Sequence, residues 1–158
     1  MHLLALEEYG LRCLLRVASH AGADPLTIPA IAEAEGLSPE YAAKLLRKLR
    51  IGGLLTSARG AGGGYRLARP ADQITIWEAV DVLGGEFFPA SFCECHGGQR
   101  NECVRLTDCS LRALWRRLDE TLRETLEAIT VQDLARREPA VEVLLDRGAS
   151  ARRATVSA

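Results

Sequence analysis

Residues 27–70 read TIPAIAEAEGLSPEYAAKLLRKLRIGGLLTSARGAGGGYRLARP, and the punctuation of this stretch decides the fold. Thr27 is a hydroxyl N-cap ahead of an apolar run through Ile28, Ile31 and Ala32, and Gly36 suits the left-handed residue that ends a helix. Two residues on, Ser38-Pro39 offers a second N-cap with proline at the first helical position, and Tyr41, Leu45, Leu46 and Leu49 carry the helical period onward. Helix, short glycine turn, helix is the helix-turn-helix pattern. After Gly52-Gly53, Leu54 to Ser57 predicts a strand, Arg59 to Gly64 a glycine-rich hairpin tip, and Tyr65 to Leu67 the return strand. A hairpin directly behind a helix-turn-helix is a wing.

Upstream, Leu3, Leu6, Gly10, Cys13, Leu14 and Val17 share one helical face, so residues from about Leu4 to His20 form an amphipathic first helix. Downstream, Pro70 to Gln73 breaks the chain before a helix from about Thr75 to Leu83, whose Ile76, Ala79, Val80 and Leu83 pack under the wing. Residues Phe87 to Asp108 have no clear period and read as a loop. Leu111, Leu114, Trp115, Leu118, Leu122, Leu126 and Ile129 then repeat at three- and four-residue steps with Arg and Glu between them. Such a seam is expected to be buried against a symmetry mate. The expected architecture is mainly α. A winged helix-turn-helix with a two-stranded wing spans 1–85, a cysteine-rich loop 86–108, and a long dimerisation helix with a C-terminal helical segment 109–137. The tail, 138–158, is expected to be partly disordered, with one more turn or two near Val141 to Leu145.

The formal net charge is only −1, yet it is strongly segregated. From Ser38 to Arg69 the basic residues Lys44, Arg47, Lys48, Arg50, Arg59, Arg66 and Arg69 face a single acid, Glu40, giving that window +6 and leaving −7 elsewhere. A basic patch on an otherwise acidic chain can hold phosphates while limiting nonspecific attraction. Double-stranded DNA is the expected partner. The helix opened by Ser38 suits a major groove, with Ser38, Glu40 and Tyr41 at base edges or flanking phosphates and Lys44, Arg47 and Lys48 free of the apolar face. Arg59 at the wing tip suits a narrow minor groove, and Gly60, Gly62 and Gly63, followed by Tyr65, let backbone approach phosphates; Thr27 completes the DNA-binding set. These glycines match neither dinucleotide nor P-loop spacing.

Four of the five cysteines, with His96, lie between Cys93 and Cys109, in the order Cys93, Cys95, His96, Cys103, Cys109. A loop with little other reason to be ordered and this many thiols points to a metal or cluster. Zinc, an iron-sulfur cluster, which accepts looser cysteine spacing, and a thiol switch without metal are the three alternatives. Paired C-x-x-C knuckles, usual for structural zinc, are missing. Cys13, on the apolar face of the first helix, reads as a core thiol. No stretch approaches the ~20 apolar residues of a membrane span, and the N-terminus has no secretory pattern. A cytoplasmic protein with reduced cysteines is expected. His2, His20 and His96 form no nucleophile-base pattern, so an enzyme is not expected; a protein-interaction module would explain the long seam but not the basic window.

The segments Leu3 to Ala18, Ser38-Pro39-Glu40-Tyr41 and above all Arg59 to Pro70 resemble the IscR/NsrR family of winged-helix regulators over roughly residues 1–134. The resemblance implies a homodimer acting at promoters through an inverted-repeat operator, foremost as a repressor. It also implies an iron-sulfur cluster, [2Fe-2S] or [4Fe-4S], that senses nitric oxide, redox state or cluster supply. Cys95, Cys103 and Cys109 are the implied ligands, with Cys93 as the fourth and with Glu8, supplied across the dimer, and His96 as competitors. The chain departs from the family in two places. Gly97 stands where many cluster-bearing members have their first cysteine, so Cys95 or Cys93 must substitute, and Arg112 stands where one branch has a histidine ligand. Without such a role, Glu8 is an exposed first-turn carboxylate favoured by the helix dipole.

Overall fold

A computed structural model describes residues 5–20, 22, 24–58, 60, 63–84, 88, 92–95, 99 and 102–146, with the side chains of Glu94 and Cys95 outside that set. Helix α1 (Ala5–Ala18) is followed by α2 (Ile28–Glu35) and α3 (Pro39–Ile51), the hairpin β1 (Leu55–Ala58) and β2 (Gly64–Leu67), and α4 (Ile76–Leu83). A single turn, α5 (Phe92–Cys95), precedes the long α6 (Ser110–Glu127) and the short α7 (Val131–Leu134). Residues 138–146 are helical too, so the expected tail begins with a helix, while Gly148 to Ala158 lies outside the described residues.

The caps fall where the sequence puts them, because each satisfies an N–H or C=O that a helix end leaves bare. Thr27 accepts from the Ala30 N–H at 3.3 Å, and Gly36 closes α2 at φ 67°. Ser38 accepts from the Tyr41 N–H at 3.2 Å. Leu14 of α1, Ile31 of α2, Leu45, Leu46 and Leu49 of α3, and Ile76, Ala79 and Leu83 of α4 then meet in one core with Cys13, Leu54 and Leu55. Two glycines let α4 sit close. A β-carbon at Gly10 would lie 2.4 Å from Leu83, and one at Gly52 only 2.3 Å from Val82.

The wing is fastened to the helix-turn-helix by a third rung. Leu26 and Tyr65 exchange both backbone hydrogen bonds, at 2.9 and 2.8 Å, on the far side of β2 from β1.

The C-terminal segment changes the reading of the seam. Ile76 N–H donates to Ile129 O and Val131 N–H to Ile74 O, both at 2.9 Å, which draws Ile129 and Val131 into the core beside α4. Leu126 packs on the same core. The expected continuous stripe is therefore split: its C-terminal part serves the chain's own body, and Leu111, Leu114 and Leu118 remain 54, 49 and 43% exposed. Among the described residues no helix is long and apolar enough to cross a membrane.

Candidate nucleic-acid interface and cysteine segment

On α3, Glu40, Lys44 and Arg47 are exposed and follow one another at four- and three-residue steps, so they form one outward row with Ser38 exposed at its head. The N–H of Glu40 itself and the Ser38 hydroxyl hold the Glu40 carboxyl below the usual carboxylate range, which keeps it an ionised acceptor. Tyr41 lies one row over and is half-buried; its ring meets Tyr9 edge-on, centroids 6.0 Å apart at 81°, and Arg12 sits 5.3 Å over Tyr9. Arg12 and Arg16 of α1 in turn hold Glu35 at 3.0 and 2.7 Å, bracing α2 against α1.

Lys48 departs from expectation. Seven residues after Tyr41, it shares that inward row, and its Nζ donates to Leu83 O at 3.1 Å instead of standing free. Sequence periodicity does not separate it from Lys44 and Arg47, because 100° steps leave Lys48 about 40° from Lys44 while Lys44 and Arg47 are themselves about 60° apart.

Thr27, Ser57, Gly60, Gly63 and Tyr65 line one open groove of about 350 Å³ between the start of α2 and the wing, so residues thirty and more apart in sequence meet there. Gly60 has φ 107°, a conformation that a side chain would strain. Arg66, next to Tyr65 on β2, is exposed and is a further cation of the wing. Arg59, Gly62 and His96 lie outside the described residues.

The cysteine segment ends on α6. Cys109 is the α6 N-cap, its Sγ accepting from the Arg112 N–H at 3.4 Å, and the Arg112 guanidinium returns to Leu106 O at 2.9 Å. Cys93, on α5, lines a pocket of about 420 Å³ with Phe88, Leu106, Arg112 and Arg116. Cys93, Cys103 and Cys109 are half-buried and free of disulfides. Their soft thiol donors fit iron or a cluster in kind, although among the described residues no three His, Cys, Asp or Glu side chains gather into a site. Glu8 is exposed, whereas its neighbour Glu7 is buried. Cys13 is of another kind: burial, reinforced by the Glu35 carboxylate, pushes its thiol up to about 11.

A helix-turn-helix with an exposed charged row and a hairpin wing locked beside it defines a winged-helix DNA-binding protein. The chain belongs to the Rrf2 family, whose model, described as "Iron-dependent Transcriptional regulator", matches residues 5–137. It is 33% identical to the HTH-type transcriptional regulator IscR of Xenorhabdus nematophila over an alignment of 159 residues, covering 98% of this chain and 91% of that protein. To Protein rrf2 of Nitratidesulfovibrio vulgaris it is 36% identical over 137 residues, covering 86 and 88%. Among solved structures it resembles CymR (YrzC), the global cysteine regulator of B. subtilis, with a TM-score of 0.69, 31% identity and coverage of 85 and 96%. T. potens IscR gives 0.65 and 30%, covering 85% of each chain. The expected resemblance therefore holds: the protein is a DNA-binding transcriptional regulator and not an enzyme.

Proposed function

We propose that the chain acts as a homodimer that represses transcription from an inverted-repeat operator, with the segment from Cys93 to Cys109 as its sensor. The observation that carries this reading is the position of Cys109, a thiol that caps α6, the helix whose Leu111, Leu114 and Leu118 stay exposed among the described residues. Leu111, Leu114 and Leu118 follow at three- and four-residue steps, and Thr121 and Thr125 continue the row. Both hydroxyls are bonded one turn back, to Arg117 O at 2.8 Å and Thr121 O at 2.7 Å. Their methyls are thus left for an apolar partner, and the spacing is that of a two-helix seam.

On DNA, the row Glu40, Lys44 and Arg47 enters the major groove, Ser38 and Tyr41 fix its register, and the groove at Thr27, Gly60, Gly63 and Tyr65 takes backbone phosphates. Arg59 and Gly62 at the wing tip read the minor groove. When bound, an iron-sulfur cluster held by Cys95, Cys103 and Cys109, with Cys93, Glu8 of the partner subunit or His96 completing the set, supplies a centre reactive to redox change or nitric oxide. The chain's own part is mechanical. Ordering the segment around Cys109 fixes the start of α6, and α6 ends bonded to α4, so the spacing of two recognition helices in a dimer follows the state of the segment. A thiol switch without metal is the second reading, supported by the direct place of Cys109 Sγ in the helix cap.

Sedimentation with fluorescence anisotropy tests the proposal. A dimer at micromolar concentration, bound to half-sites about 34 Å apart and weakening steeply between roughly 50 and 200 mM salt, is expected. A monomer, or binding indifferent to salt, contradicts it.

A further inference from the structure

We infer that Lys48 and Arg69 are positioning residues that lock the recognition helix and the wing to the two ends of α4, and not phosphate contacts, which makes α4 the lever that moves both DNA-reading elements together. The inference rests on the DNA-binding face proposed above but concerns residues that lie behind it. Leu83 is the last residue of α4, and its carbonyl is one of those a helix end leaves without an internal partner. The Lys48 ammonium satisfies it at 3.1 Å, a favourable place for a cation at a helix C-terminus. Gly84 ends α4 in the left-handed region, φ 108°, and a β-carbon there would lie 3.9 Å from Lys48 Nζ. Beside this tether, Val82 fills the space over Gly52, so the ends of α3 and α4 abut through both polar and apolar contacts.

The wing is held at the other end of the same helix. Arg69, just after β2, meets Glu78 Oε1 at 2.6 Å, and Glu78 Oε2 accepts from Thr75 N at 2.8 Å, closing the capping box that starts α4. α4 is also joined to the long helix and its continuation: Arg123 of α6 sits 5.5 Å over the Trp77 ring, and Thr75 is paired with Thr130. A shift of α6 is therefore passed to α4, and through its two ends to the recognition helix and the wing at once. Lysine and arginine in a basic window are usually counted as phosphate ligands. Here both cations are already engaged, one by a carbonyl and one by a carboxylate.

Glu78→Gln separates the two roles by sign. Glutamine can still complete the capping box, but it releases Arg69 and removes a negative charge. If Arg69 contacts phosphate, the variant binds operator as well as or better than the parent. If Arg69 positions the wing, Glu78→Gln weakens operator binding about tenfold, the scale of one lost charge-assisted hydrogen bond, with the slope of log affinity against log salt unchanged. Lys48→Met is expected to do the same, and Lys48→Arg, which keeps a donor, to restore binding. Lys44→Ala and Arg47→Ala serve as the contrast, each making the slope shallower by about 1. A Glu78→Gln protein with undiminished affinity, or a Lys48→Met protein whose slope falls by about 1, overturns the inference. Unchanged slopes for Lys44→Ala and Arg47→Ala would instead overturn the assignment of the DNA-binding face.

Discussion

Thr75 and Thr130, fifty-five residues apart, pair as a single antiparallel bridge while each also caps a helix of its own. Thr75 opens α4 with Glu78 at its third position, and Thr130 opens α7 with Asp133 in the same place, both as reciprocal capping boxes. The bridge binds the end of α6 to the winged domain, so each threonine serves local and long-range order together. Thr75→Ala and Thr130→Ala are each expected to lower stability by about 1 kcal/mol, the usual cost of a lost N-cap. Because they share one bridge, the double variant should deviate from the sum by about 0.5 kcal/mol or more, measured by urea unfolding.

That bridge also marks the limit of what the sequence could show. Thr27, Gly36, Ser38-Pro39 and Gly60 act within a few residues of themselves, so their chemistry is legible in one dimension, and the helix-turn-helix and hairpin lie where they indicate. The inward turn of Leu126, Ile129 and Val131 depends on a partner more than fifty residues away, and the apolar period alone cannot tell a core from an interface. The same holds for Lys48, whose acceptor on Leu83 lies thirty-five residues further on, and for Glu35, whose arginine partners sit on another helix. Thr27, Gly60, Gly63 and Tyr65 each stand out in the sequence for local reasons, and folding gathers them into one groove. The cysteines were recognisable by type, but type does not fix how they are brought together.

The exposed half of the α6 row should govern assembly. Leu118→Asp places a charge in the middle of the row and is expected to give monomers at micromolar concentration with the winged domain still folded, seen by sedimentation and circular dichroism. Leu126→Asp should instead unfold the chain, because that leucine packs on the chain's own core. Similar behaviour of the two variants would contradict the split of the stripe.

Arg59→Ala is expected to lower affinity for the cognate operator by about 1–3 kcal/mol, the cost of one specific contact. Competition anisotropy measures it. An undiminished specific affinity removes the wing tip from recognition.

Cys13 should behave unlike the other thiols. With its thiol raised from an ordinary value near 9 to about 11, it stays protonated when folded while an unfolded chain would ionise it. Its contribution to stability is full below about pH 9 and is lost as the pH rises towards 11. Urea midpoints should therefore fall over that window, and less so in Cys13→Ala. Alkylation of the native metal-free protein near pH 8 should spare Cys13 and modify Cys103 and Cys109, read by mass spectrometry.

The most direct measurement is operator affinity of anaerobically purified protein, before and after removal of iron, alongside iron and sulfide content and the visible spectrum of the parent and of the Cys103→Ser and Cys109→Ser variants. The account predicts iron with equivalent sulfide in the parent, its loss in both variants, and an operator affinity that differs between loaded and stripped protein by tenfold or more, a typical allosteric coupling. A full iron complement in either variant, or one affinity for both forms of the parent, would contradict it.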